Sequence, residues 1–219
     1  MNFIELEEDL DNLFKGLSEP YDVVPEWADP GVSMDALKDA ETRLGVVFPE
    51  VLKDASRQFS GIYHETPYFM GDSFKKIQTE VLKRSKREVS EEYFIDDLEI
   101  SIVYAPTEWD SEDAQGLKAL NVEYMSEIDT KQYIGVDCDL TWLHDNSFLL
   151  IGATYSESLY MDLRDPTFNP NYGALYNFNS LEDFCIMYKI ADDYGEFLLN
   201  IKQSLEQKTQ LDADDGDDS

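Results

Sequence analysis

Asp137, Asp139, His144 and Asp145 fall within the nine-residue run DCDLTWLHD and are the group whose types and spacing could hold a hard metal ion for hydrolysis. Strand alternation would set Asp137 and Asp139 on one face, with His144 and Asp145 in the turn that follows. Acidic turns with this spelling also occur without metal, and the sequence assigns none here. His64 and His144 are the chain's two histidines. The phosphate-cradling GxxxxGK[ST] pattern, the GxSxG nucleophile turn and the HExxH zinc helix do not occur. Carboxylates are so abundant that no pair stands out for acid–base work. The sequence therefore supports no catalytic residues, no cofactor and no enzyme.

A second group offers recognition rather than catalysis. Between Glu88 and Asp129 the acids crowd together with Lys118 as the lone base, and Trp109 stands among Glu108, Asp110, Glu112 and Asp113. An exposed tryptophan is a frequent interface anchor, and flanking carboxylates would suit a basic surface. Asp96, Asp97, Glu99, Glu108, Trp109, Asp110, Glu112 and Asp113 are thus the candidate partner-binding residues. The competing reading folds Trp109 back onto the core.

The charge sets the context for both groups. Forty-seven acids against 17 bases leave a formal net charge of -30 on 219 residues. Such a chain repels nucleic acid and anionic membranes and attracts basic partners, although a salt-adapted host would also select it. Lys75 to Arg87 is rich in bases, and reads as a solvated helix face neutralised by neighbouring acids. The N-terminus lacks a basic, apolar leader, and no stretch approaches a membrane span. Cys138 and Cys185 are too few and too far apart for a disulfide framework, so the expected location is the cytoplasm.

The elements that must carry these residues follow from periodicity. A hydrophobic content of 42% is enough for a substantial core, so the chain reads as one domain over 1–211 with a disordered acidic tail at 212–219. Phe3, Leu6, Leu10, Leu13 and Leu17 make an amphipathic first helix. Trp27 follows in an irregular lead-in. Ser33 caps a helix carrying Met34, Leu37, Ala40 and Leu44, which Gly45 closes. Val46 to Phe48 is extended before Pro49, and Pro49 opens a second helix ending at Gly61. Leu98 to Tyr104 alternates as a strand. Short strands are predicted at Tyr133–Val136, Ser147–Ile151, Leu159–Leu163 and Ala174–Phe178. A final helix is predicted from a Ser180 cap, with Leu181, Phe184, Tyr188, Ala191, Leu198, Ile201 and Leu205 on its buried stripe, Cys185 on its apolar face and a bend at Gly195. The order suits an α+β domain with helices packed against a mainly antiparallel sheet.

Glu41, Leu44-Gly45, Phe48-Pro49 and Phe59-Ser60-Gly61 resemble the opening of the SMI1/KNR4, or SUKH, superfamily, which reads helix, E-x-x-LG-x-x-LP, helix, NG. Phe48 replaces the usual Leu and Ser60 the usual Asn. Tyr160-Met161-Asp162-Leu163 is similar to the family's Tyr-x-Asp-Leu strand, which would make Asp162 a structural or pocket residue near the sheet edge. Asn179 to Phe184 is similar to its closing helix, and the resemblance implies that Trp27 packs beneath the first helical pair as a core residue. The resemblance covers about 30–61, 147–165 and 179–199, and leaves 62–146 as an apparent insertion in a SUKH-like single domain. It implies a non-enzymatic bacterial immunity protein that binds a cognate, basic toxin domain, often a nuclease. The alternative it implies is a regulatory or scaffolding module like the fungal members. A metal-dependent hydrolase and a carboxylate mimic of nucleic acid are readings independent of the family. Oligomeric state is left open.

Overall fold

The computed structural model describes residues 2–16, 26–27, 31–58, 61–68, 72–85, 100–127, 133–153, 157–180 and 185–215. Along the chain come α1 (Phe3–Gly16), β1 (Glu26–Trp27), α2 (Met34–Leu44), α3 (Glu50–Ser56), β2 (Ile62–Tyr68), α4 (Asp72–Ser85) and β3 (Ile100–Val103). A 3-10 turn (Pro106–Glu108), α5 (Glu112–Glu127), β4 (Tyr133–Val136) and a second 3-10 turn (Leu140–His144) follow. The chain ends with β5 (Phe148–Ala153), β6 (Glu157–Asp162), β7 (Leu175–Ser180), β8 (Cys185–Ala191) and α6 (Tyr194–Asp215). This is the expected α+β class.

Among the described residues the strands make one eight-stranded sheet in the order β1-β2-β3-β5-β6-β7-β8-β4. Every neighbouring pair is antiparallel except β8 and β4, which run parallel. After β3 the chain leaves through α5 to place β4 on the far edge, then returns to lay β5 beside β3. The segment 62–146 thus supplies β2, β3 and β4 and is part of the sheet rather than an addition to it.

Alternation along the central strands fills two cores. Leu149, Ile151, Leu159, Met161, Leu175, Ile186 and Ile190 face a layer built from α1, α2, α3, α4 and α6. Phe148, Leu150, Tyr160, Tyr176, Phe178 and Met187 face the other way, under α5 and the turn Leu140–His144. Each fully buried leucine or phenylalanine contributes roughly 1.5–3 kcal/mol of transfer free energy, so both layers matter to stability.

The α2–α3 corner forms as its spelling requires. Ser33 Oγ accepts from the Ala36 amide at 3.2 Å, and Gly45 closes α2 at φ 70°, a left-handed conformation that suits glycine. Gly31 is required as well, because a Cβ there would stand 2.1 Å from the Arg57 carbonyl oxygen. Phe59 and Ser60 lie outside the described residues, and α3 itself ends at Ser56.

The closing helix is a correction. Residues 185–191 form β8, so Cys185 is buried in a strand, and the helix begins only at Tyr194. Its cap is Asp193, whose Oδ1 accepts from the Glu196 amide at 2.9 Å; Ser180 ends β7 instead. Gly195 therefore sits in the first turn, not at a bend. Helix α6 runs to Asp215, four residues past the Leu211 boundary drawn for the tail, and 216–219 lie outside the described residues.

Candidate partner-binding site

The acid-rich group is organised by the joint between β3 and α5. Pro106 starts the 3-10 turn, and Glu108 reaches back so that its Oε2 accepts from the Ala105 amide at 3.3 Å. Ser111 caps α5, with Oγ accepting from the Ala114 amide at 3.3 Å. Glu112 and Asp113 then occupy the first turn of α5, where negative charge is favoured by the helix dipole. Both are exposed. Asp110 pairs with Arg43 of α2, whose second nitrogen donates to the Thr107 carbonyl at 3.1 Å. The joint therefore carries Glu108, Glu112 and Asp113 at its exposed surface, with Asp110 half-buried, while Asp96, Asp97 and Glu99 lie outside the described residues.

Trp109 does not belong to that surface. It is 1% exposed, packs edge-on against Phe48 with ring centroids 5.3 Å apart, and donates its indole N–H to the Tyr104 carbonyl at 3.0 Å. The 3-10 turn rotates it inward, where burying a large ring outweighs any gain from leaving it in water. It is a core residue, and as an interface anchor it is withdrawn. The side chain of Trp27, read as core, lies outside what the structure describes.

The family-like residues are architectural. Glu41 Oε1 accepts from the Phe48 amide at 2.7 Å and pairs with Lys53 Nζ at 3.0 Å, tying α2 to the corner and to α3. Burial works against the charge on Lys53, yet the hydrogen bonds it donates to Glu41 and Glu50 hold its pKa above the ordinary lysine value. Asp162 is completely buried at the end of β6, a central strand rather than an edge. It takes Arg164 in a two-point grip, at 2.9 Å from Nε and 2.7 Å from Nη2. The guanidinium also lies 3.6 Å from the centroid of the Trp142 ring, which covers it. Hydrogen bonding to Asp162 raises the pKa of Arg164 despite partial burial.

The residues first considered for a metal are spent on local structure. Strand β4 stops at Val136, and Asp137 turns out of it at φ 60°, pairing with Arg84. The expected alternation of Asp137 with Asp139 on a strand face is therefore absent. Asp139 caps the turn Leu140–His144, accepting from the Thr141 amide at 2.9 Å and its hydroxyl at 2.8 Å. These bonds hold its carboxyl below the usual range. Asp145 Oδ1 accepts from the Ser147 amide at 2.8 Å, and His144 is exposed. Among the described residues no three His, Cys, Asp or Glu side chains gather as a metal site would need.

A cavity of about 550 Å³ opens between α5, β4 and this turn, lined by Met125, Ser126, Gly135, Cys138, Asp139, Leu140, Thr141 and His144. Cys138 donates its S–H to the Met187 carbonyl at 3.0 Å, and burial pushes the thiol up to about 12. It is a thiol, not a thiolate nucleophile, at neutral pH.

Two features escaped sequence reasoning. Lys118 is buried on α5 and donates to the Asp145 carbonyl at 2.7 Å and the Phe148 carbonyl at 2.6 Å; burial lowers its pKa to about 8. Phe168, on the β6–β7 loop, is 86% exposed. The loop's Asp-Pro and Asn-Pro steps were the available signal for a rigid turn there.

Among the described residues no helix is long and apolar enough to cross a membrane. No curated protein matches the chain. Residues 31–200, well over half of the 219 and including the segment 62–146, match the SMI1 / KNR4 family (SUKH-1). The capped α2, the Glu41-tied corner at Phe48-Pro49 and the buried Asp162 of β6 all lie inside that span, and the chain belongs to the SMI1 / KNR4 family (SUKH-1).

Proposed function

We propose that the chain is a non-enzymatic immunity protein that acts in the cytoplasm by binding and neutralising a cognate, basic toxin domain of the nuclease type. The observation that carries this reading is a net charge of -30 on a member of this family. A nuclease concentrates cationic side chains where it holds phosphate, so its active face is the natural target of a carboxylate-rich protein. Exposed Glu112 and Asp113, with Glu108 and Asp110 beside them, would provide such a face. Complementary charge of this kind lifts association from roughly 10⁵–10⁶ to as much as 10⁸–10⁹ M⁻¹s⁻¹ at low salt. An inhibitor gains most from that speed, because it must reach the toxin before the toxin reaches nucleic acid.

The chemistry favours binding over catalysis. The carboxylates of the 137–145 run cap turns and pair with Arg84, and the Cys138 thiol is held protonated. The test is co-expression with the C-terminal domain of a large secreted toxin encoded directly upstream, scored as growth. Rescue that scales with the amount of immunity protein is the expected result. Unchanged killing by a toxin domain in the presence of abundant, folded protein would move the assignment to the regulatory or scaffolding reading.

A further inference from the structure

Among the described residues, the large apolar side chains left most open to water are Phe168, at 86%, and Val47 and Leu120, at 59% each. The loop that carries Phe168 and the corner that carries Val47 meet at one end of the molecule. The β6–β7 loop that carries Phe168 is tied to the α2–α3 corner by Tyr172, whose hydroxyl donates to the Val47 carbonyl. Pro49 of the corner also sits close to Gly173, where a Cβ would come within 3.0 Å of the Pro49 ring.

The loop is held rigid along its length. Thr167 N donates to Asp165 Oδ1 at 2.9 Å, Asn169 N to the Asp165 carbonyl at 3.1 Å, and Asn171 N to Asn169 Oδ1 at 3.0 Å. Pro166 and Pro170 restrict it further. At its root, Arg164 is clamped between Asp162 and the Trp142 ring. A phenylalanine on such a loop is presented to solvent with its backbone already ordered, which removes much of the entropy that docking would otherwise cost.

We propose that Phe168 is the apolar knob by which this protein locks onto its toxin, entering a pocket rimmed by lysine or arginine, with Val47 of the corner to which its loop is tied as a second contact. This rests on the immunity reading and adds the contact that sets the lifetime of the complex. Charge selects the occupant. Arg43, Lys53 and Arg164, the bases described at this end, are each paired with a carboxylate of the chain, while Asp165 is exposed beside the knob. A second copy, also at -30, would be repelled. Trp109 is buried and cannot anchor the acid-rich joint, so steering falls on its carboxylates and locking on the knob.

The experiment measures association and dissociation between the full chain and a nuclease-type toxin domain against which co-expression is tested, for the wild type, Phe168→Ser, Phe168→Tyr, Val47→Ser and Ile4→Ser. Ile4 is 52% exposed on α1 and serves as the control. Phe168→Ser is expected to raise the dissociation rate about tenfold or more, with association and melting temperature unchanged. Val47→Ser should raise it a few-fold, Phe168→Tyr should stay near wild type, and Ile4→Ser should have no effect. Wild-type binding with unaltered dissociation for Phe168→Ser overturns the knob and leaves the immunity reading standing. A wild type that neither binds the toxin domain nor protects against it overturns both. Sedimentation that shows a dimer dissolved by Phe168→Ser names a second copy as the occupant and overturns the proposal.

Discussion

Replacing Trp109 with alanine separates a core role from a contact role. The indole is 1% exposed, meets Phe48 edge-on at 5.3 Å, and satisfies the Tyr104 carbonyl at 3.0 Å. Truncating a buried tryptophan costs about 3–5 kcal/mol, because transfer energy is lost and a cavity remains. About 0.5–1.5 kcal/mol of that belongs to the aromatic pair. Against a total stability of about 5–15 kcal/mol, this is a large fraction. For a domain of this size each kcal/mol shifts the melting temperature by about 2–4 °C, so Trp109→Ala should melt roughly 6–20 °C below wild type. Trp109→Phe keeps the ring and should recover more than half of the loss. The assay is thermal unfolding by circular dichroism, with urea denaturation as a second probe. A Trp109→Ala protein that melts within about 2 °C of wild type and yet binds the toxin weakly would refute the buried placement. It would return Trp109 to the interface.

Two further substitutions test the buried charges. Lys118 has a folded-state pKa of about 8 against an ordinary 10.5, so between those values the unfolded chain binds more protons and stability rises with pH. Denaturation across that window should show the rise in wild type, and Lys118→Met should flatten it; identical profiles would contradict the burial of the amine. Asp162→Asn removes the charge that grips Arg164 and should lower stability by up to about 3 kcal/mol. Arg164 is partly exposed, which keeps the loss at the lower end of the range for buried pairs, and unchanged urea midpoints would refute the clamp.

What the sequence made legible was local. Ser33, Gly45 and Pro49 each carry a backbone preference that acts within a few residues, so the α2–α3 corner could be read directly. Strands β4 to β7 were readable because short apolar runs alternate with turn residues. Residues 185–191 were misread because β8 is covered on both faces. Cys185 and Met187 turn one way and Ile186, Tyr188 and Ile190 the other, so the run lacks the polar alternation that marks a half-buried strand. Helix α5 went unread for the opposite reason. Its inward stripe passes through Ala114, Lys118 and Met125, and a buried lysine breaks the apolar period. Trp109 needed a partner 61 residues away, Phe48, to draw it inside, and no local pattern reports such a contact. Of the candidate site, the exposed carboxylates were legible from composition. The docking of the Phe168 loop onto the α2–α3 corner was not, because it depends on Tyr172 reaching Val47 across the fold.

The central claim is that charge brings this protein to a basic toxin domain, and the dependence of the association rate on salt measures it most directly. Between about 0.1 and 1 M salt the screening length falls from about 10 to about 3 Å. The wild-type rate toward a toxin domain that it neutralises should fall about tenfold or more over that range, and Glu112→Lys with Asp113→Lys should start slower and vary less. A rate that stays constant across the range, or a double variant that associates as the wild type does, would contradict the account.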